Sequence, residues 1–169
     1  MPLPEQRLNY IRWLANAEGV EDMDTSEFTD EDWARLGRQR DEEISQFCRG
    51  TTDPEQLHAF ADAYNWDQGE HVFFELIKNP MCDAGTALLI YWRAGPEWHL
   101  QFTDRSELHE ADATMLDLIN EIERRYLADD FKSKRIPFDP AEYIGVYEKF
   151  RDNFKRDLPA RMYGSISGS

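Results

Sequence analysis

The chain has 169 residues, of which 41% are hydrophobic and 13% aromatic: enough to bury a core without disulfides or metal, and too apolar for disorder despite 31% charged residues. Its formal net charge of −15 opposes binding to nucleic-acid phosphates or to an anionic membrane surface. The same charge favours a protein partner with a basic surface, because opposite fields speed encounter.

Residues 4–17 place Leu8, Ile11, Trp13 and Leu14 near helical spacing behind Pro4, and predict an amphipathic helix ending near Gly19. Residues 20–29 are dense in acid (Glu21, Asp22, Asp24, Glu27) and read either as a solvated linker or as a loop that contacts a partner. Thr29 is a cap residue followed by Asp30, Glu31 and Asp32, acids that suit the positive end of a helix dipole. Trp33, Leu36, Arg40, Ile44 and Phe47 carry that helix to about Cys48, with Gly50 as the stop. Asp53-Pro54-Glu55 opens the next helix, with Leu57, Phe60, Ala61 and Tyr64 inward and Glu55, His58, Asp62 and Asn65 outward. The run 65–69, Asn-Trp-Asp-Gln-Gly, breaks it. A short helix over 70–78 then buries Val72, Phe73, Leu76 and Ile77, with Phe74 on its flank.

Pro80 pushes Asn79 out of the helical region, and Asp83 is placed to cap a new helix over 83–93. Ala87 to Trp92 form six residues without a polar break, and a helix apolar all round is buried all round. This is the expected central helix. Gly95-Pro96 makes a turn, after which Trp98, Leu100 and Phe102 alternate, as in a short strand or an extended connector. Residues 104–129 read as the longest helix, through Leu108, Ala111, Met115, Leu118, Ile119, Ile122 and Tyr126. A basic patch at 132–135 precedes Ile136-Pro137. Asp139-Pro140 opens a last helix to about Phe154, with Tyr143, Val146, Tyr147, Phe150 and Phe154 on one face. Residues 164–169 read as a flexible tail.

The expected fold is therefore all-α: one multi-helix domain over 1–163 around a buried helix at 83–93. Three short helices at near-regular spacing in 53–94 give it a local likeness to helical repeats. Charge is uneven along the chain. Residues 1–50 carry 6 basic and 12 acidic groups, 51–123 carry 3 and 15, and 124–169 carry 10 and 7. Cys48 and Cys82 form neither a disulfide framework nor a zinc set, and are expected as buried, reduced thiols of a cytoplasmic protein. The segment after Pro2 does not read as a secretory leader, and no apolar run reaches the ~20 residues of a membrane span.

Few groupings suggest chemistry. Glu55 and His58 share a helix face at the spacing used by di-iron bundles, but such a centre needs a second pair and two further carboxylates. Glu107, His109, Glu110 and Asp112 form another acid and histidine cluster on an acidic helix side. No nucleophile elbow, phosphate loop or dinucleotide fingerprint is present. No cofactor, catalytic residue or metal ligand set is expected. Trp66 and Trp98 are tryptophans in turns among acids, the setting of an interface anchor or of a side chain folded back on the core.

The motifs Leu57-His58-x-Phe60-Ala61-x-x-Tyr64-Asn65-Trp66-Asp67-x-Gly69 and Asn79-Pro80-x-Cys82-Asp83-x-Gly85-Thr86-Ala87-Leu88-Leu89 resemble an uncharacterised bacterial family, the domain of unknown function numbered 4274. The resemblance covers about 55–95. It implies a small soluble bacterial protein, similar in kind to the immunity partners of secreted toxins, and it brings no catalytic assignment. The expected function is thus the binding and neutralisation of a cognate toxin or effector with a basic surface, by occluding its active site. The expected contact residues are Glu55, Asp62, Asp67, Glu70, Glu75, Glu97, Trp98, Glu107 and Glu110. The alternatives are a metal-dependent hydrolase or di-metal protein using Glu55, His58 and His109, and a structural subunit of a bacterial assembly.

Overall fold

The computed structural model describes residues 3–17 and 26–168. Among them are eight α-helices and no strand: α1 (Glu5–Asn16), α2 (Asp30–Gly50), α3 (Pro54–Ala63), α4 (His71–Lys78), α5 (Ala84–Arg93), α6 (Pro96–His99), α7 (Glu110–Leu127) and α8 (Ala141–Phe150). The all-α expectation holds. Backbone contacts gather into two compact units, Met1–Asn79 and Pro80–Ser169. The expected helix end near Gly19, and Glu21, Asp22 and Asp24 of the acidic loop, lie outside the described residues.

In the first unit α1 packs on α3 and α2 on α4, the stacking of successive helix pairs found in α-solenoids. Capping fixes where α2 and α3 begin. Thr29 and Asp32 form a reciprocal capping box at the start of α2, and the Asp53 carboxylate accepts the Glu55 N–H at the start of α3. The helix α2 runs through Gly50 and is capped by Thr51, so the expected stop comes one residue late. Arg40 ties the unit together. Its guanidinium donates to the carbonyl of Leu14 at the end of α1 and to Gln68 in the turn before α4.

Asn79 closes the first unit. It is buried, and its Nδ2 donates to the carbonyls of Cys48 (2.8 Å) and Thr51 (2.9 Å), two of the orphan acceptors at the end of α2. Asn79→Ala is expected to leave these acceptors without a donor and to cost about 1–3 kcal/mol. A denaturant titration checks this; an unchanged midpoint would show that water replaces the amide.

In the second unit α5 is the buried helix: every residue from Ala84 to Trp92 is inaccessible, and α7 and α6 pack against it. Four expectations change here. Residues 97–102 are not extended. Gly95 takes a left-handed conformation (φ 69°), Pro96 fits the first helical position, and α6 follows, so the alternation of Trp98, Leu100 and Phe102 becomes an exposed ring beside a buried leucine. The helix expected over 104–129 starts only at Glu110 and has 18 residues, leaving α2, with 21, as the longest. The cause is a second capping box, in which Glu107 accepts from the Thr103 and Asp104 N–H groups and closes a separate 3-10 turn at Arg105–Glu107. The last helix stops at Phe150, and a 3-10 turn, Arg151–Asn153, replaces its final turn. Of its expected inward face only Tyr147 is fully buried, while Val146 and Phe150 are 43% and 42% exposed. The segment read as a flexible tail carries a backbone pairing, Ile166 exchanging hydrogen bonds with Phe138.

Candidate functional site

The two sequence motifs are built from backbone-directed side chains. Asn65 accepts from the Asp67 N–H and starts the 3-10 turn Trp66–Gln68, and Gly69 follows with φ 93°. Trp66 folds back: its ring lies 4.2 Å from that of Phe73, and its buried Nε1 has no hydrogen-bond partner. Asp83 is fully buried and serves two purposes. One oxygen caps α5 through the Gly85 N–H (2.8 Å), and the carboxylate also accepts the Arg135 N–H (2.8 Å), the Ile136 N–H (3.3 Å) and the Ser133 hydroxyl. Gly85 permits this docking, because a Cβ there would run into the Ile136 carbonyl oxygen and lie 3.1 Å from its carbon. The motif is a clip that seats residues 133–136 on the first turn of α5.

Residues 52–127 match the model of the family described as Domain of unknown function (DUF4274). That segment belongs to the DUF4274 family. The match is wider than the 55–95 stretch that carried the resemblance and takes in α6 and α7. No curated protein and no solved structure matches the chain.

Within the DUF4274 segment the expected contact residues divide between the two units. In the first, Glu55 lies half-buried in the first turn of α3, Asp62 is exposed near its end, and Asp67 is exposed in the 3-10 turn. Glu70 stands at the N-cap position of α4 without a side-chain cap, and Glu75 pairs with Arg49 at 3.1 Å and accepts the Ser45 hydroxyl. Residues 50–77 contain six acidic side chains and no lysine or arginine, the longest stretch of one sign in either unit. In the second unit Glu97 and Trp98 stand on α6, where Trp98 is 51% exposed and meets only Phe102 edge-on among the aromatic rings, at 5.5 Å. Glu107 is committed to its capping box, and Glu110 pairs with Arg105 at 3.1 Å.

A polar triad, buried at Tyr91 and Glu123 with Arg156 reaching in from the surface, was not legible in the sequence. The Tyr91 hydroxyl donates to Glu123 at 2.7 Å, and Arg156 pairs with the same carboxylate at 3.0 Å. Burial, then the neighbouring Glu123 charge, pushes the Tyr91 phenol well above its ordinary range, which keeps it a neutral donor. The three residues are separated by about 30 positions each, and nothing local marks them as partners.

The metal alternative finds no ligand set. Glu55 and His58 belong to the first unit and His109, the residue before α7, to the second. Among the described residues no three His, Cys, Asp or Glu side chains are placed to hold an ion. Both cysteines are buried free thiols. No described helix is long and apolar enough to cross a membrane.

Proposed function

We propose that this protein is a binding protein of the immunity type, which captures a toxin or effector with a basic surface and neutralises it by covering its active site. The reading is carried by the one-sign charge of residues 50–77, spread over α3, the 3-10 turn and α4 of the first unit. Such a concentration of acidic charge steers a basic partner and raises its association rate. Trp98 supports the same reading from the second unit. An exposed tryptophan beside a carboxylate is the composition of an interface anchor, which supplies area and a directed N–H together.

Co-expression with the product of a neighbouring gene tests the reading: rescue of growth supports it, and no rescue together with no binding to that protein at micromolar concentration defeats it. With a partner in hand, Asp62→Lys and Glu97→Lys are expected to slow association about tenfold at low salt. That difference shrinks as salt is added, while the denaturation midpoint stays in place. Trp98→Ala is expected to act on dissociation instead, by about 2 kcal/mol. Stopped-flow binding separates the two effects, and a parallel loss of folding in the charge variants would refute the steering role.

A further inference from the structure

The first unit contains a groove of about 500 Å³ where α1, the last turns of α2 and the start of α3 come together. Its walls include the rings of Tyr10 and Phe47 and the carboxylates of Glu43 and Asp53. A cation already sits on those rings. The Arg7 guanidinium lies 4.9 Å from the Tyr10 centroid and 5.5 Å from that of Phe47, and its Nε donates to Gln56 at 2.7 Å. The groove remains open with Arg7 in place. Its ionised lining groups, one guanidinium against two carboxylates, leave it with a net charge of −1. The helix α2 ends here at Gly50, and the C-terminal end of a helix adds partial negative charge.

We propose that this groove seats an arginine side chain of the protein partner, an inference that rests on the basic-partner reading above and gives it a point of attachment. A planar guanidinium matches both the ring and the carboxylates of this lining. It stacks on the part-exposed Tyr10 ring, since Phe47 is buried beneath Arg7, and its fork of donors reaches carboxylates and threonine hydroxyls. A lysine ammonium satisfies the carboxylates but lacks the planar stacking. An anion finds one guanidinium, already stacked and hydrogen-bonded, and two carboxylates that repel it. The volume is in the range of side-chain and small-ligand sites.

The test uses the full chain and three probes, the N-acetyl amides of arginine, lysine and glutamate, followed by backbone amide shifts. The arginine compound is expected to give saturable shifts at Phe47, Thr51 and Thr52, the lysine compound weaker ones, and the glutamate compound none. Tyr10→Leu and Glu43→Gln are each expected to weaken arginine binding about two- to fivefold, the worth of an exposed cation–π or ion-pair contact. No saturation with arginine, or equal response to glutamate, overturns the assignment; the second result would make Arg7 an anion seat. Partner binding separates this inference from the function it rests on. A captured basic partner whose affinity ignores both substitutions defeats the groove alone. Arginine binding in a chain that captures no basic protein supports the groove and defeats the partner reading alone.

Discussion

Gly85→Ala is expected to destabilise the second unit by about 3 kcal/mol or more, although alanine is the better helix former by about 1 kcal/mol. The sign reverses because of one contact. Gly85 lies in the first turn of α5, and the Ile136 carbonyl occupies the space that a Cβ would take. That obstacle is backbone, held by the Asp83 carboxylate through the Arg135 and Ile136 N–H groups, so it cannot rotate away. Asp83→Ala is expected to cost a similar amount by a different route. It removes the α5 cap, worth about 1 kcal/mol, and leaves buried donors of residues 133–136 without an acceptor. The two substitutions break the same docking, so their effects should sum to clearly less than additivity in a double-mutant cycle. Gly145→Ala is the control. Nothing lies within 4 Å of a Cβ at that exposed position of α8, so alanine there should be neutral or mildly stabilising. Denaturant titrations and hydrogen exchange at the Arg135 and Ile136 amides read the result. If Gly85→Ala keeps wild-type stability and protection at those amides, the clip does not hold the unit together.

Local signals were legible in the sequence wherever a single residue commits a backbone group. The Thr29 cap with its first-turn acids, the Asp53-Pro54 start, the Asp83 cap and the unbroken apolar run from Ala87 each mark an element that forms where expected. Errors arose where two local signals compete over a few residues. Asp104 and Glu107 close on each other, and a continuous apolar period from Leu108 onward gives no warning of it. At Gly95-Pro96 the alternation of large side chains suggested an extended chain, but a left-handed glycine followed by proline sets up a helical turn. Long-range partners were not legible at all. Asn79 reads as a turn residue before proline, yet its amide caps a helix about 30 positions earlier. Asp83 reads as a helix cap, yet the same carboxylate holds a loop about 50 positions later. The groove at Tyr10 and Phe47 draws on three separate helices, none of which shows a motif, and only their packing brings Arg7, Glu43 and Asp53 together. Trp66 and Trp98 make the same point. Both read as turn residues among acids, and only tertiary contact separates the ring packed against Phe73 from the one left facing water.

Alkaline lability is the second large effect expected, and the Cys48 thiol of the first unit opens it at the lowest pH. Burial, reinforced by the Glu75 charge, pushes the Cys48 thiol up to about 12. Burial likewise pushes the Tyr64 phenol up to about 12. In the unfolded chain the same groups lose their protons near their ordinary values, about 8.5 for cysteine and about 10 for tyrosine. Between those values and pH 12 the folded state therefore holds protons that the unfolded state has released, and stability falls as pH rises. The contribution is complete below about pH 8.5 and is lost as the pH climbs through the window to about 12. For Cys48 alone the interval corresponds to about 5 kcal/mol, a large part of the 5–15 kcal/mol that holds a typical domain. Tyr64 adds in the same direction from about pH 10. Denaturant midpoints measured at pH 8, 9.5 and 11 should fall in that order, while a thiol reagent at pH 8 should label Cys48 only as the protein unfolds. Cys48→Ala isolates the cause. It lowers stability at neutral pH by leaving a small void, but it should flatten the decline between pH 9 and 11. A decline that runs parallel in Cys48→Ala and the wild type would assign the alkaline transition to other groups and leave the thiol with packing as its whole role.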